Sequence, residues 1–300
     1  MLKVAGTNPK GPGEKIAGLT LMGSSSLSIF ITVAITVILI VEAVPFFLEV
    51  SPFEFFFGTK WTPLLEPRHF GVLPLVVGTM HIVIGSALIA VPTGLLTGIY
   101  LSEYAPERVR SVLKPLLEIL AGIPTIVYGF FALNFITPVL KTIFPDLQIY
   151  NSLSASIVVG IMILPFVATL CEDTIRAVPQ AMREGAYALG CTKSEVTLKV
   201  VVPSALSGIL ASFILAISRA VGETMAVTLA AGATPQITAN PLESIQTMTA
   251  FMVKVSLGDT PRGSVEYQSI FAVGLLLFAI TLGLNILSNY ILSKFRESYR

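Results

Sequence analysis

Six stretches of the sequence, at about 24–48, 72–101, 112–138, 154–175, 204–232 and 269–293, are apolar for long enough to cross a bilayer, which takes about 20 residues of helix. Hydrocarbon offers backbone N–H and C=O groups no water partner, so such runs must satisfy them internally, as helices do. The expectation is an all-α membrane protein with six transmembrane helices. Composition agrees, with 54% hydrophobic and only 12% charged residues. Nothing between the runs is long enough for a separate folded domain, and a net charge of +1 argues against a nucleic-acid partner.

The cations are placed unevenly. With the N-terminus and the Glu184 connector on one side, that side holds Lys3, Lys10, Lys15, Arg108, Arg110, Lys114, Arg176, Arg183, Lys193, Lys199, Lys294, Arg296 and Arg300. Lys60, Arg68, Lys141, Lys254 and Arg262 fall opposite. The positive-inside rule then puts both termini and the connector in the cytoplasm of a multi-pass protein of the cell (inner or plasma) membrane. The first apolar run is longer than a signal-peptide core and has no convincing cleavage site, so it reads as an uncleaved helix after a cytoplasmic tail of residues 1–23. Cys171 and Cys191 fall at the cytoplasmic face, where neither a disulfide nor a zinc site is expected.

The connector Glu184–Pro203 is smooth in its first half, with Gly185, Ala186, Ala188 and Gly190, and charged in its second, with Lys193, Glu195 and Lys199. Pro179 and Pro203 bracket it, which predicts a short helix lying flat at the membrane surface. On spacing alone it is either an ordinary amphipathic connector or a seat for another protein. The pattern Glu184-Gly185-Ala186, three residues to Gly190, nine to Val200, then Val202-Pro203, resembles the EAA signature of ABC-importer permeases, with Gly185 where alanine is usual. In that family the loop forms coupling helices that seat in the ATPase. The resemblance therefore implies ATPase coupling through Glu184, Gly185, Ala186, Gly190 and Pro203.

In the fifth run, Arg219 lies ~24 Å beyond Pro203 at 1.5 Å per residue, near mid-membrane. Glu223, four residues on, shares its face in an unbroken helix. The two form either a structural salt bridge or an anion site whose guanidinium fork matches oxyanion oxygens, with Glu223 holding the fork when the path is empty. Gly122, Pro124 and Gly129 should bend the third run where Thr125 and Tyr128 reach a shared cavity. Glu118 serves either that pathway or the balance of a nearby cation. Glu42 reads as reaching the headgroups, His81 as a hydrogen-bonded structural residue, Asn285 and Asn289 as interhelical hydrogen-bonding residues, and the aromatics of Phe46–Phe70 as interfacial anchors. Pro92 should kink or locally unwind the second run.

The stretch from Leu101 to Leu133 and SRAVGETMAVTLAAG are similar to the phosphate-specific, PstC-type members of this MetI-like permease family. That resemblance implies the type-I ABC importer fold. It divides the chain into 1–71, with the tail, first helix and external loop, and 72–300, a core permease domain whose coupling loop is 176–203. It implies a PstA-like permease, a PstB-like ATPase dimer and a PstS-like external phosphate-binding protein as partners, with MTAFMVKVSLGDTP as a candidate docking segment for the last. No GxxxxGK[ST] pattern occurs, so no cofactor is expected in this chain and ATP is used by the partner ATPase. The alternative is a secondary, proton-coupled anion transporter using Arg219 and Glu223.

Overall fold

The computed structural model describes residues 12–295, so Lys3, Lys10, Arg296 and Arg300 lie outside the described residues. Helix α1 (Pro12–Glu49) leads through α2 (Pro52–Phe57) to α3 (Leu73–Tyr104), whose last turn, Tyr100–Tyr104, widens into a π-helix. Next come α4 (Glu107–Gly122), α5 (Thr125–Ile143) and α6 (Ser152–Arg176). The connector forms α7 (Gln180–Ala188) and α8 (Lys193–Ser204). Then follow α9 (Leu206–Val221), α10 (Met225–Ala230), α11 (Met248–Ser256) and α12 (Val265–Phe295). Five helices, within α1, α3, α5, α6 and α12, are long and apolar enough to span a membrane alone. The sixth apolar run is carried by α9, which meets α8 at a bend of 68°.

Four expectations change. The described part of the tail is continuous with α1, because no residue between Ile16 and Glu49 stops the helix and Ser25, Thr32 and Thr36 hydroxyls donate back to its own carbonyls. At 1.5 Å per residue such a helix reaches about 57 Å, well past the ~30 Å hydrocarbon core. The run 112–138 is two helices: Ile123 and Pro124 are extended, ending amphipathic α4 before α5 begins. Glu118 is an exposed residue of α4. Helix α3 continues through Pro92, and irregularity appears instead in its final turn.

The aromatic segment is the fourth change. Phe46, Phe55, Trp61 and Phe70 are buried and pack edge-on, and Trp61 meets Phe251 of α11 at 4.9 Å. Only part of the segment, such as Phe53 and Phe57, is exposed in the manner of interfacial anchors. The buried rings share one apolar cluster with α11 and α12, so the segment between α1 and α3 is packed against α12.

Helices α3 and α6 form the spine of the molecule. Without lipid-excluded water to drive them together, membrane helices associate through close packing of small residues. Gly98 is such a contact: a Cβ there would lie 2.8 Å from Cys171 Cβ and 3.0 Å from the Ala168 carbonyl. Overpacking of this kind costs about 1–3 kcal/mol. Gly98→Val should accordingly lower the thermal midpoint of the detergent-purified complex; an unchanged midpoint would contradict the tight α3–α6 contact.

Candidate functional site

The connector is two helices joined by a turn. Gly190 adopts φ of 82°, its N–H donates to Tyr187 O at 2.9 Å, and the Cys191 N–H donates to Ala186 O at 3.3 Å. These are the paired bonds of a glycine-dependent helix stop. Thr192 starts α8 with a capping box: its hydroxyl accepts from the Glu195 N–H while its own N–H donates to Glu195 Oε2 at 3.0 Å. The Thr192 N–H, the Lys199 ammonium and the Thr192 hydroxyl hold the Glu195 carboxyl down to about 2. A depressed folded value means the box is fully formed above the ordinary carboxylate range and is lost only as pH falls towards 2.

Helix α7 turns Ala186 inward and leaves Glu184, Gly185, Ala188 and Leu189 outward, with Leu189 86% exposed. A Cβ at Gly185 would meet nothing within 4 Å. The outward face is therefore small, flat and open, with one acid and one large apolar side chain. Pro203 is exposed near the end of α8, before the bend into α9. Thus Glu184, Gly185, Ala186 and Gly190 share α7 and its stop, while Pro203 lies on the second helix.

The expected Arg219–Glu223 ion pair does not form. Helix α9 ends at Val221, and without an unbroken turn residues 219 and 223 lose their common face. Glu223 is buried at the break, where its Oε1 accepts from the Ala226 N–H at 3.1 Å and satisfies the start of α10. Its carbonyl accepts from the Thr249 hydroxyl of α11 at 2.7 Å. Arg219 instead stands on the exposed side of α9, its guanidinium carbon 5.4 Å from the centre of the Phe166 ring on α6. That contact holds the cation against the ring face without using its N–H donors.

Tyr128 is buried, and its hydroxyl donates to Leu120 O at 2.8 Å, sealing the break between α4 and α5. Thr125, half-buried, opens α5. Helix α5 approaches α10 closely at Gly129, where a Cβ would lie 2.9 Å from Leu229 Cβ. Tyr128 consequently shares a core with Ala220, Val221 and Ala226, around the broken span. Of the four expected pathway residues, one is an outward cation, two are buried and hold the breaks, and Thr125 lies beside one of them.

Elsewhere, His81 has a buried Nδ1 without a hydrogen-bond partner, so it is not the hydrogen-bonded residue expected. Asn285 and Asn289 are exposed, and the hydrogen bond from α12 to α9 is made by Ser288, which donates to Ala211 O at 3.5 Å. Of MTAFMVKVSLGDTP, the first nine residues form α11, with Met248, Thr249, Ala250, Phe251 and Val255 buried, while Leu257, Gly258, Asp259 and Pro261 beyond its end are exposed. Cys171 and Cys191 carry free thiols.

Residues 90–297 match the family described as binding-protein-dependent transport system inner membrane component. The chain belongs to that family. It is a multi-pass membrane permease subunit, and such permeases work with a binding protein and an ATPase. As a member, the chain is 35% identical over 265 residues to a probable ABC transporter permease, YqgH, of Bacillus subtilis, covering 88% of this chain and 85% of that one. It is 33% identical to the phosphate transport system permease protein PstC of Mesorhizobium japonicum, covering 81% and 79%. The same fold occurs in the inward-facing methionine ABC transporter MetNI, with TM-score 0.57 at 18% identity over 75% of this chain and 98% of that one. It occurs too in a bacterial importer of alginate, with TM-score 0.57 at 11% identity over 93% and 100%. These structures establish the type-I importer fold of the family member.

Residues that sequence reasoning passed over hold together the end of this permease where α4 meets α6. Glu172, near the end of α6, is fully buried with Arg110 Nε at 2.8 Å, Lys114 Nζ at 3.3 Å and Arg176 Nη1 at 3.8 Å. Burial works against the charge on Lys114, but Glu172 and Asp173 outweigh it and raise its pKa above the ordinary value. The cations of α4 are thus partly neutralised internally, a role that the four-residue recurrence Arg110, Lys114, Glu118 hinted at. Leu189, the large apolar residue of the outward face, carried no comparable signal.

Proposed function

We propose that this chain is a PstC-like permease subunit of an ATP-driven phosphate importer, forming half of the translocation pathway. The observation that carries the reading is an outward-facing arginine beside a break in a membrane span, in a chain whose relatives include phosphate permeases. In lipid an isolated arginine costs between about 2.5 and over 10 kcal/mol, so its exposed face belongs against water or a second permease. There its fork meets a passing phosphate, and stacking on Phe166 keeps it aimed without consuming its charge.

The finer arrangement follows from the same reading. A PstA-like permease supplies the other half, two PstB-like ATPases seat on the Glu184 face of α7, and a PstS-like protein delivers phosphate from outside. This chain needs no cofactor of its own, because ATP is consumed by the ATPase. The cation distribution supports cytoplasmic termini, with α7 and α8 on the same side. A proton-coupled exchanger would call for Arg219 and Glu223 at one site, whereas Glu223 is committed to Ala226.

The test is the co-purified complex in phosphate-free liposomes. ATP should drive phosphate transport only when ATPase and binding protein are both present; transport by this chain under a proton gradient alone would overturn the proposal.

A further inference from the structure

Arg183 lies on α7 one residue before Glu184, yet points away from the open face. Its Nη2 donates to Glu103 Oε1 at 3.0 Å and to Ile175 O at 2.9 Å, and its Nη1 donates to Val178 O. One guanidinium therefore ties α7 to two other places: the final turn of α3, 80 residues away in sequence, and the end of α6. The Arg183 and Glu103 side chains are only 11% and 8% exposed, so this is a sheltered charge pair and not a solvent-screened surface contact. From α8, Lys193 adds a second thread, its ammonium 4.9 Å from the centre of the Tyr104 ring.

Both threads end in the π-helical turn Tyr100–Tyr104, and α8 has its own π-helical stretch over Val196–Val201. Such π-turns are rare within α-helices and occur frequently at functional sites. Beyond its π-turn, α3 is rigidly packed on α6 through Gly94 and Gly98.

We propose that the Arg183–Glu103 contact is the joint through which movement of α7 is passed to span α3, with Arg183 and Glu103 as positioning residues for transport. The inference rests on the reading of α7 as the ATPase seat. A displacement of α7 that leaves the pair intact must carry the end of α3 with it, because among the described residues Arg183 is the one cation within ion-pair distance of the sheltered Glu103 carboxylate, whose Oε1 otherwise accepts from the Ser102 hydroxyl. With the pair cut, α7 still seats in the ATPase through its outward face, but its movement is dissipated in the π-turns.

The test uses the complete complex in liposomes, measuring ATP hydrolysis and phosphate uptake together. Glu103→Gln keeps the shape of the side chain and removes its charge. Hydrolysis should stay within about twofold of wild type while uptake falls about tenfold or more, a change in transport per ATP that a loss of fold would not produce. Arg183→Lys, which keeps a cation for Glu103 but gives up the hold on both carbonyls, should also lower transport per ATP. An unaltered ratio in either assembled variant overturns the joint, and so does failure of both to assemble, which would make the contact a folding element. Wild-type complex without ATP-driven uptake would instead count against the proposed function itself.

Discussion

Arg219→Gln is expected to reduce ATP-driven phosphate uptake at least about hundredfold, while the complex still assembles and its ATPase still binds nucleotide. A hundredfold loss corresponds to about 3 kcal/mol, the scale of one charge-assisted contact to an anion in a poorly solvated site. The side chain makes no ion pair with Glu223 and stacks on Phe166 from an exposed position, so glutamine removes charge without opening a buried hole. Assembly should survive for that reason. The measurement is uptake into proteoliposomes alongside the yield of intact complex. Normal uptake at normal yield would remove Arg219 from the pathway.

Glu184→Lys should cut the ATPase retained on affinity-purified permease by about tenfold or more, with membrane insertion unchanged. Glu184 is exposed on the flat face of α7 beside Gly185 and Leu189, and nothing in the chain's own core depends on it. Reversing a charge at a docked surface adds repulsion to the lost attraction, and tenfold is only ~1.4 kcal/mol. Arg183, its neighbour, is fully engaged elsewhere, so the effect isolates the outward face. Unchanged ATPase recovery would show that the docking face is not this side of the helix.

The spans were legible because lipid imposes one demand over many residues, and a long apolar run answers it almost independently of context. Breaks were less legible. Pro124 was visible in the sequence, but the apolar residues of α4 merged with those of α5, and only the spacing of Arg110, Lys114 and Glu118 separated a surface helix from a span. The Arg219–Glu223 pair failed for a related reason: a four-residue spacing implies a common face only while the helix continues, and this one stops at Val221. Gly190 could be read from sequence because a local backbone demand selects glycine. Arg183 could not, since its partner Glu103 is brought to it by the packing of three helices and leaves no trace in local spacing.

Helix α11 has a further mechanical meaning. Thr249 of α11 grips the carbonyl of Glu223, the Met248 N–H donates to Thr79 of α3 at 3.1 Å, and Phe251 wedges against Trp61. A load applied at α11 therefore acts on a lever whose short arm is the break between α9 and α10.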